Sequence, residues 1–203
     1  MEFSDPNLLQ AASTGDVQHL EQLLATYQPS EWLEATVQNL LITGSWECQL
    51  QVIQFLFNKY KPNVIPEEAI RAAIYSGSIP LFSEFLLRDP SIINLRLDRR
   101  STPLVVACIA RKPIEFLRYL LEQGADPNRG PEDSMPLPIE CIGTFYQDPA
   151  AVDLLMQYGA VLSKDSNALE SAERRGNTQV LNRLRTYYTT ATSGETVSAR
   201  VYG

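Results

Sequence analysis

Histidine is nearly absent from this chain: His19 is the single one in 203 residues. It sits beside neither Cys48, Cys108 nor Cys141, so the three cysteines show no metal-ligand pattern and no basis for redox chemistry. Equally missing are Gly-x-Ser-x-Gly, a glycine-rich phosphate loop, Cys-x-x-Cys and His-Glu-x-x-His. No catalytic motif is therefore recognisable, and neither metal nor cofactor is expected. No apolar run approaches the ~20 residues that span a bilayer. The opening Met1-Glu2-Phe3-Ser4-Asp5-Pro6 is acidic and polar, unlike a signal peptide. An odd number of cysteines without paired spacing points to reduced, buried thiols in an intracellular protein, cytoplasmic or nuclear. His19, between Gln18 and Leu20, reads as an exposed helix residue.

Charge of one sign is also scarce where it might have been expected. The formal net charge is −7, yet residues 88–203 hold fourteen acids and fourteen bases and sum to zero. Residues 1–87 hold ten acids against Lys59, Lys61 and Arg71, which accounts for the whole excess. Within the neutral part, Arg88, Arg96, Arg99, Arg100, Arg111, Lys112, Arg118 and Arg129 crowd together. An acidic flank beside a basic middle argues against general nucleic-acid affinity, which needs a broad basic face. It suits a partner with patches of both signs.

What the chain does have is a stretch written twice. Thr102-Pro103-Leu104-Val105-Val106-Ala107-Cys108 returns 33 residues later as Met135-Pro136-Leu137-Pro138-Ile139-Glu140-Cys141. Leu120-Leu121-Glu122-Gln123-Gly124-Ala125-Asp126 is echoed from Leu154 to Ala160. A period near 33 marks a solenoid whose units are too small to bury their own apolar faces. Thr102-Pro103-Leu104 opening a helix, followed by Leu120-Leu121, Gly124-Ala125-Asp126 and Asn128, resembles an ankyrin repeat. A tetratricopeptide array has a similar period, but it lacks the Gly-Ala-Asp finger, and its typical Trp, Gly and Tyr positions are not found here.

The resemblance implies an all-α solenoid of stacked helix pairs with short finger loops. Apolar residues at helical spacing place the pairs at about 6–26, 31–60, 66–88, 102–122, 135–158 and 167–187. The repeats then run at about 5–30, 31–62, 66–97, 98–131, 132–163 and 164–188, with a disordered tail over 189–203. Gly15, Gly44, Gly77 and Gly176 are expected at internal turns, Thr43-Gly44 breaking the inner helix of the second, degenerate unit. Glu67-Glu68 and Glu132-Asp133 read as helix-start acids rather than an acid–base pair. Two departures stand out. The histidine that normally follows Thr-Pro-Leu is replaced by Val105, Pro138 and Glu170, so the interfaces are expected to lean on apolar packing. Arg100 stands where the family's finger has a glycine of positive φ.

The resemblance also implies a concave groove lined by fingers and inner-helix ends. Arg96, Arg99 and Arg100 map to one finger, and Arg111 and Lys112 to the inner-helix end of the same repeat. Tyr75, Phe145 and Tyr146 fall at turns between inner and outer helices, where aromatics would face the groove rim. Solvated charges paired with Asp98, Glu115 or Glu132, and Phe145 packed on Pro149, are the plainer alternatives. The function expected is a non-catalytic intracellular binding module for a protein or peptide partner with acidic groups, not for nucleic acid or membrane. A small-molecule-binding protein or enzyme using a pocket in the same groove is the alternative.

Overall fold

A computed structural model of the protein describes residues 5–26, 31–97, 101–129, 137–162 and 166–192. The described residues are helical, apart from turns and one antiparallel bridge joining Leu97 to Ser101. The helices come in pairs: α1 (Pro6–Thr14) with α2 (Val17–Leu24), α3 (Glu31–Trp46) with α4 (Leu50–Lys59), and α5 (Glu67–Ser76) with α6 (Ile79–Arg88). After a 3-10 helix at Pro90–Asn94 come α7 (Pro103–Ile109) with α8 (Ile114–Glu122), α9 (Pro138–Phe145) with α10 (Ala150–Gln157), and α11 (Ala168–Arg174) with α12 (Thr178–Thr192). Two units result, Met1–Ile92 and Ile93–Gly203, each built on three helix pairs.

Within the first unit the inner helices pack side by side, α1 on α3 and α3 on α5, while the outer ones pair α2 with α4 and α4 with α6. The second unit repeats the scheme with α7, α9 and α11 inside and α8, α10 and α12 outside. Local signals explain where helices start. Asp5 accepts a hydrogen bond from the Asn7 N–H at 2.9 Å, and Pro6 takes the first turn, where its missing donor does no harm. Asp16 accepts from the His19 N–H at 2.9 Å and so caps α2; the His19 side chain is exposed, as the sequence suggests. Glu67 and Glu68 occupy the first turn of α5, beside the positive end of its dipole.

Each helix buries an apolar stripe on both its hairpin mate and the next pair. Leu20, Leu40, Leu56, Phe57, Phe82 and Phe85 are sealed in the first unit, Phe57 and Phe85 meeting edge to face at 5.3 Å. Leu104, Phe116, Leu120, Ile142, Leu155 and Leu184 do the same in the second. Each such side chain contributes about 1.5–3 kcal/mol when fully buried.

Three expectations need correction. Gly44 does not break a helix: α3 continues to Trp46, and Gly44 lies inside it. A β-carbon there would sit 3.2 Å from Val52 Cγ1 and 3.3 Å from Ile53 Cδ1, so the glycine lets α4 approach. The turn falls at Glu47–Gln49 instead, with Cys48 in the left-handed region at φ 55°. Cys48 is consequently exposed, whereas Cys108 and Cys141 are buried as expected. In addition α12 runs through Thr192, past the boundary at 188; residues 193–203 lie outside the described ones.

Close approach also governs Gly143, whose added β-carbon would lie 2.5 Å from the Ala168 backbone oxygen. Backbone cannot swing aside, so Gly143→Ala should lower stability by about 1–3 kcal/mol in urea denaturation. Gly176→Ala, where a β-carbon meets nothing within 4 Å but φ is +67°, should cost only about 1 kcal/mol. Equal losses would refute the tight contact of α9 with α11.

Candidate functional site

In five of the six helix pairs the turn from inner to outer helix carries a residue in the left-handed region; the turn after α9, which leaves Tyr146 at φ −99°, does not. Gly15, Gly77 and Gly176 serve in three pairs, with φ of 79°, 69° and 67°. Between α7 and α8 the residue is Arg111, at φ 54°. A β-carbon resists this conformation by about 1–2 kcal/mol. Backbone bonds hold the turn in place: the Arg111 N–H donates to the Cys108 carbonyl at 3.1 Å and the Lys112 N–H to the Ala107 carbonyl at 3.0 Å. The exposed Arg111 guanidinium then lies 5.6 Å from the centre of the Phe145 ring, at the end of the neighbouring inner helix α9. A cation over an aromatic face at an exposed site contributes about 0.5–1 kcal/mol.

Directly behind this pair runs a chain of hydrogen bonds across three helix pairs. The buried Tyr146 hydroxyl donates to the Lys112 carbonyl at 2.6 Å. The Tyr146 carbonyl in turn accepts from the side-chain amide of Asn177, the buried residue that caps α12. Arg111, Lys112, Phe145 and Tyr146 are thus brought together, and they divide by role. Tyr146 is not at the surface as expected of an anchor; it ties repeats together. Lys112 contributes its backbone to that tie. Arg111 and the half-buried Phe145 remain toward solvent.

The other candidates lie elsewhere. Arg96 is exposed, next to Leu97, whose N–H donates to the Ser101 carbonyl at 2.9 Å. Arg99 and Arg100 lie outside the described residues. Tyr75 belongs to the first unit and is 40% exposed, its ring stacked 5.9 Å from that of Trp46, which is 48% exposed. Trp46 is not among the site residues that the sequence points to. The available signal was that Trp46 and Tyr75 both close an inner helix. Among the described residues no group of three His, Cys, Asp or Glu side chains is placed to hold a metal ion, and no helix is long and apolar enough to cross a membrane.

The expectation that the interfaces lean on apolar packing needs an addition, because amides and a carboxylate also bridge successive pairs. The Asn94 side-chain amide donates to the Gly124 carbonyl at 2.8 Å, and its oxygen accepts from the Asp126 N–H at 2.9 Å. Asn128 repeats both bonds one period on, with the Gly159 carbonyl at 2.9 Å and the Val161 N–H at 2.7 Å. Gln49 reaches the Ser13 carbonyl at 2.9 Å. Glu140 accepts from the Leu137 N–H and, in the next pair, from the Asn167 N–H, each at 2.9 Å. The recurrence of Asn94 at Asn128 was the legible trace of this ladder.

Cys108, Cys141 and Tyr146 form a buried group in which burial opposes every ionised form. Burial pushes the Cys108 thiol well above its usual range, with the nearby Cys141 adding to it, and raises Cys141 to about 12, Glu140 adding to the effect. Burial likewise raises Tyr146. In the native protein a thiol reagent should label Cys48 rapidly while Cys108 and Cys141 react only on unfolding. Rapid reaction of all three would contradict the burial. In the unfolded chain the thiol titrates near 9.0, below its folded value, so the unfolded state binds fewer protons at alkaline pH. Stability should therefore hold below about pH 9 and fall as pH rises toward about 12. Urea midpoints across that window should fall less steeply for Cys141→Ala than for the wild type.

A family model described as Ankyrin repeat matches residues 99–130. No curated protein sequence matches the chain. Among solved structures, a chain of the complex between the predatory endopeptidase Bd0816 of Bdellovibrio bacteriovorus and the immunity protein Bd3460 is similar, with a TM-score of 0.73 and 18% identity over 91% of this chain and 99% of that one. The ankyrin repeat domain of human ASB11 aligns with a TM-score of 0.65 and 18% identity over 90% of this chain and 97% of that one. The ankyrin repeat domain of Bcl-3, described as a unique member of the IkappaB protein family, gives 0.62 and 20% over 91% and 87%. Residues 99–130 are an ankyrin repeat by sequence, and the chain has the ankyrin-repeat fold.

Proposed function

We propose that this ankyrin-repeat chain is a non-catalytic binding module for a protein or peptide partner that carries acidic groups, contacted by Arg111 beside Phe145. The observation that carries the reading is the turn between α7 and α8. A glycine would adopt its backbone conformation without strain, yet an exposed arginine stands there with φ of 54°. Strain of this kind that persists at an exposed charged residue marks a place where the side chain matters more than the local backbone energy. Phe145 holds the guanidinium in position, which lowers the ordering entropy lost when its planar fork grips a carboxylate. Similarity to a chain from an endopeptidase–immunity protein complex supports a protein partner, at the level of fold.

The test compares the wild-type chain with Arg111→Glu as bait in affinity capture, followed by titration of the captured partner. The reversal should weaken binding at least about tenfold, as loss of a hydrogen bond to a charged group does, while stability falls by no more than the ~0.5–1 kcal/mol of the lost contact with Phe145. Arg111→Gly should weaken binding too while leaving stability within about 1 kcal/mol of the wild type. Affinity unaffected by either change would remove Arg111 from the binding surface.

A further inference from the structure

The three inner helices of the second unit end in turns that are tied to one another in a row. The Tyr146 hydroxyl, just past α9, donates to the Lys112 carbonyl, just past α7. The Asn177 side-chain amide, just past α11, donates to the Tyr146 carbonyl. Arg111 immediately precedes the first tie and Phe145 the second, while Arg174 ends α11 and Arg175 caps it, two residues before Asn177. The three arginines are exposed and Phe145 is half-buried beneath Arg111. Gly143 keeps the row tight, because it brings α9 against the Ala168 backbone at the start of α11.

Arginines at these helix ends are not a general demand of the fold. The negative end of a helix dipole favours a cation at any inner-helix C-terminus, yet α1, α3 and α5 carry none in their last turns. Nor do they reflect a basic unit, since residues 93–203 hold thirteen acids and thirteen bases. Two carboxylates close by in sequence are turned to other partners. Asp148 accepts from the Ala150 N–H at 2.8 Å and so caps α10, and Glu173 meets Arg185 of α12 at 3.5 Å. Glu115, in the first turn of α8, is exposed.

Building on the role of Arg111 in binding an acidic partner, we propose that this row docks an extended segment carrying two acidic residues six positions apart. One acid meets Arg111, the other meets Arg174 and Arg175, and an apolar side chain between them lies against Phe145. The spacing follows from the packing. Neighbouring helices lie about 8–10 Å apart, so the two steps from α7 to α11 cover roughly 16–20 Å. An extended chain rises ~3.3 Å per residue and returns to the same face every second residue, so acids six positions apart span the row and face it together. The same six residues in a helix would rise only about 9 Å, too little to reach both ends. Each guanidinium can grip a carboxylate with two hydrogen bonds, and two anchors held at a fixed separation select the distance between acids as well as their charge.

The experiment uses the full chain with nitrogen-15 in its arginines, whose side-chain N–H signals report each guanidinium even at weak affinity. The probe is a nine-residue peptide with glutamates at its second and eighth positions, leucines at the fourth and sixth, and serine elsewhere. Two comparison peptides keep its length: one has the same composition with the glutamates adjacent, the other has glutamine in their place. The spaced peptide should shift the Arg111 and Arg175 signals with one dissociation constant, about fivefold below that of the adjacent-acid peptide, the scale of one exposed ion pair. The glutamine peptide should shift neither. Arg174→Gln with Arg175→Gln should erase the fivefold difference while Arg111 still responds, and circular dichroism checks that the variants, all at exposed residues, stay folded. If the spaced and adjacent peptides bind alike, or the double variant keeps the difference, Arg111 acts alone and the row is refuted while the role of Arg111 stands. If Arg111→Gln leaves the affinity for the spaced peptide unchanged, the role of Arg111 falls as well. Failure of the spaced peptide to bind, or shifts confined to arginines outside the row, would also overturn the proposal.

Discussion

A helix of eight to ten residues does not persist alone in water, because the cost of nucleating it is returned over too few turns. Most helices of this protein are of that length, so each depends on neighbours to cover its apolar stripe. That dependence explains the pairing of inner with outer helix and the packing of like with like inside each unit. It also explains the two glycines that sit within helices. Gly44 and Gly143 forgo helix propensity of about 1 kcal/mol each, and in exchange α4 meets α3 and α11 meets α9 at distances a side chain would prevent.

Polar ties follow from the same dependence. Where short helices end against one another, backbone carbonyls are left without partners inside the helix. Asn94, Asn128, Gln49, Asn177 and Tyr146 reach across to donate to backbone carbonyls, while Glu140 accepts from the N–H groups of Leu137 and Asn167. An apolar interface tolerates sliding, whereas a side-chain amide that donates to one carbonyl and accepts from the next N–H admits one register. Repeats without the histidine therefore still lock.

The ends of the inner helices are where this chain departs from the demands of packing. In one unit a strained arginine is held over a phenylalanine; in the other a tryptophan and a tyrosine stack in an acidic field. Neither arrangement is needed to bury the core, since Phe57, Phe85 and Phe116 and the leucines around them do that. Exposed aromatics and a cation in the left-handed region add little to stability. The arginine is intelligible as a surface group meant to meet something of opposite charge.

Helical spacing, Asp5-Pro6, Asp16 and the doubled Thr-Pro-Leu segment were enough to place the helix pairs and to set the all-α repeat architecture, since those signals act over three or four residues. The same reach explains the errors. Gly44 reads locally as a helix breaker, and only the nearness of Val52 and Ile53 reveals why it lies mid-helix. Tyr146 and Phe145 are adjacent and chemically alike in sequence, yet one is buried on the Lys112 carbonyl and the other stays toward solvent. That choice depends on where the turn between α9 and α10 points. Arg111 is one arginine among many until its φ and the ring beneath it are known, and nothing local in the sequence marks Trp46 until Tyr75 arrives from the next repeat. Composition and period determined the repeats. Contacts between residues about thirty positions apart decided which side chains the repeats conceal and which they display, because burial is a property of the packed pair and not of either helix alone.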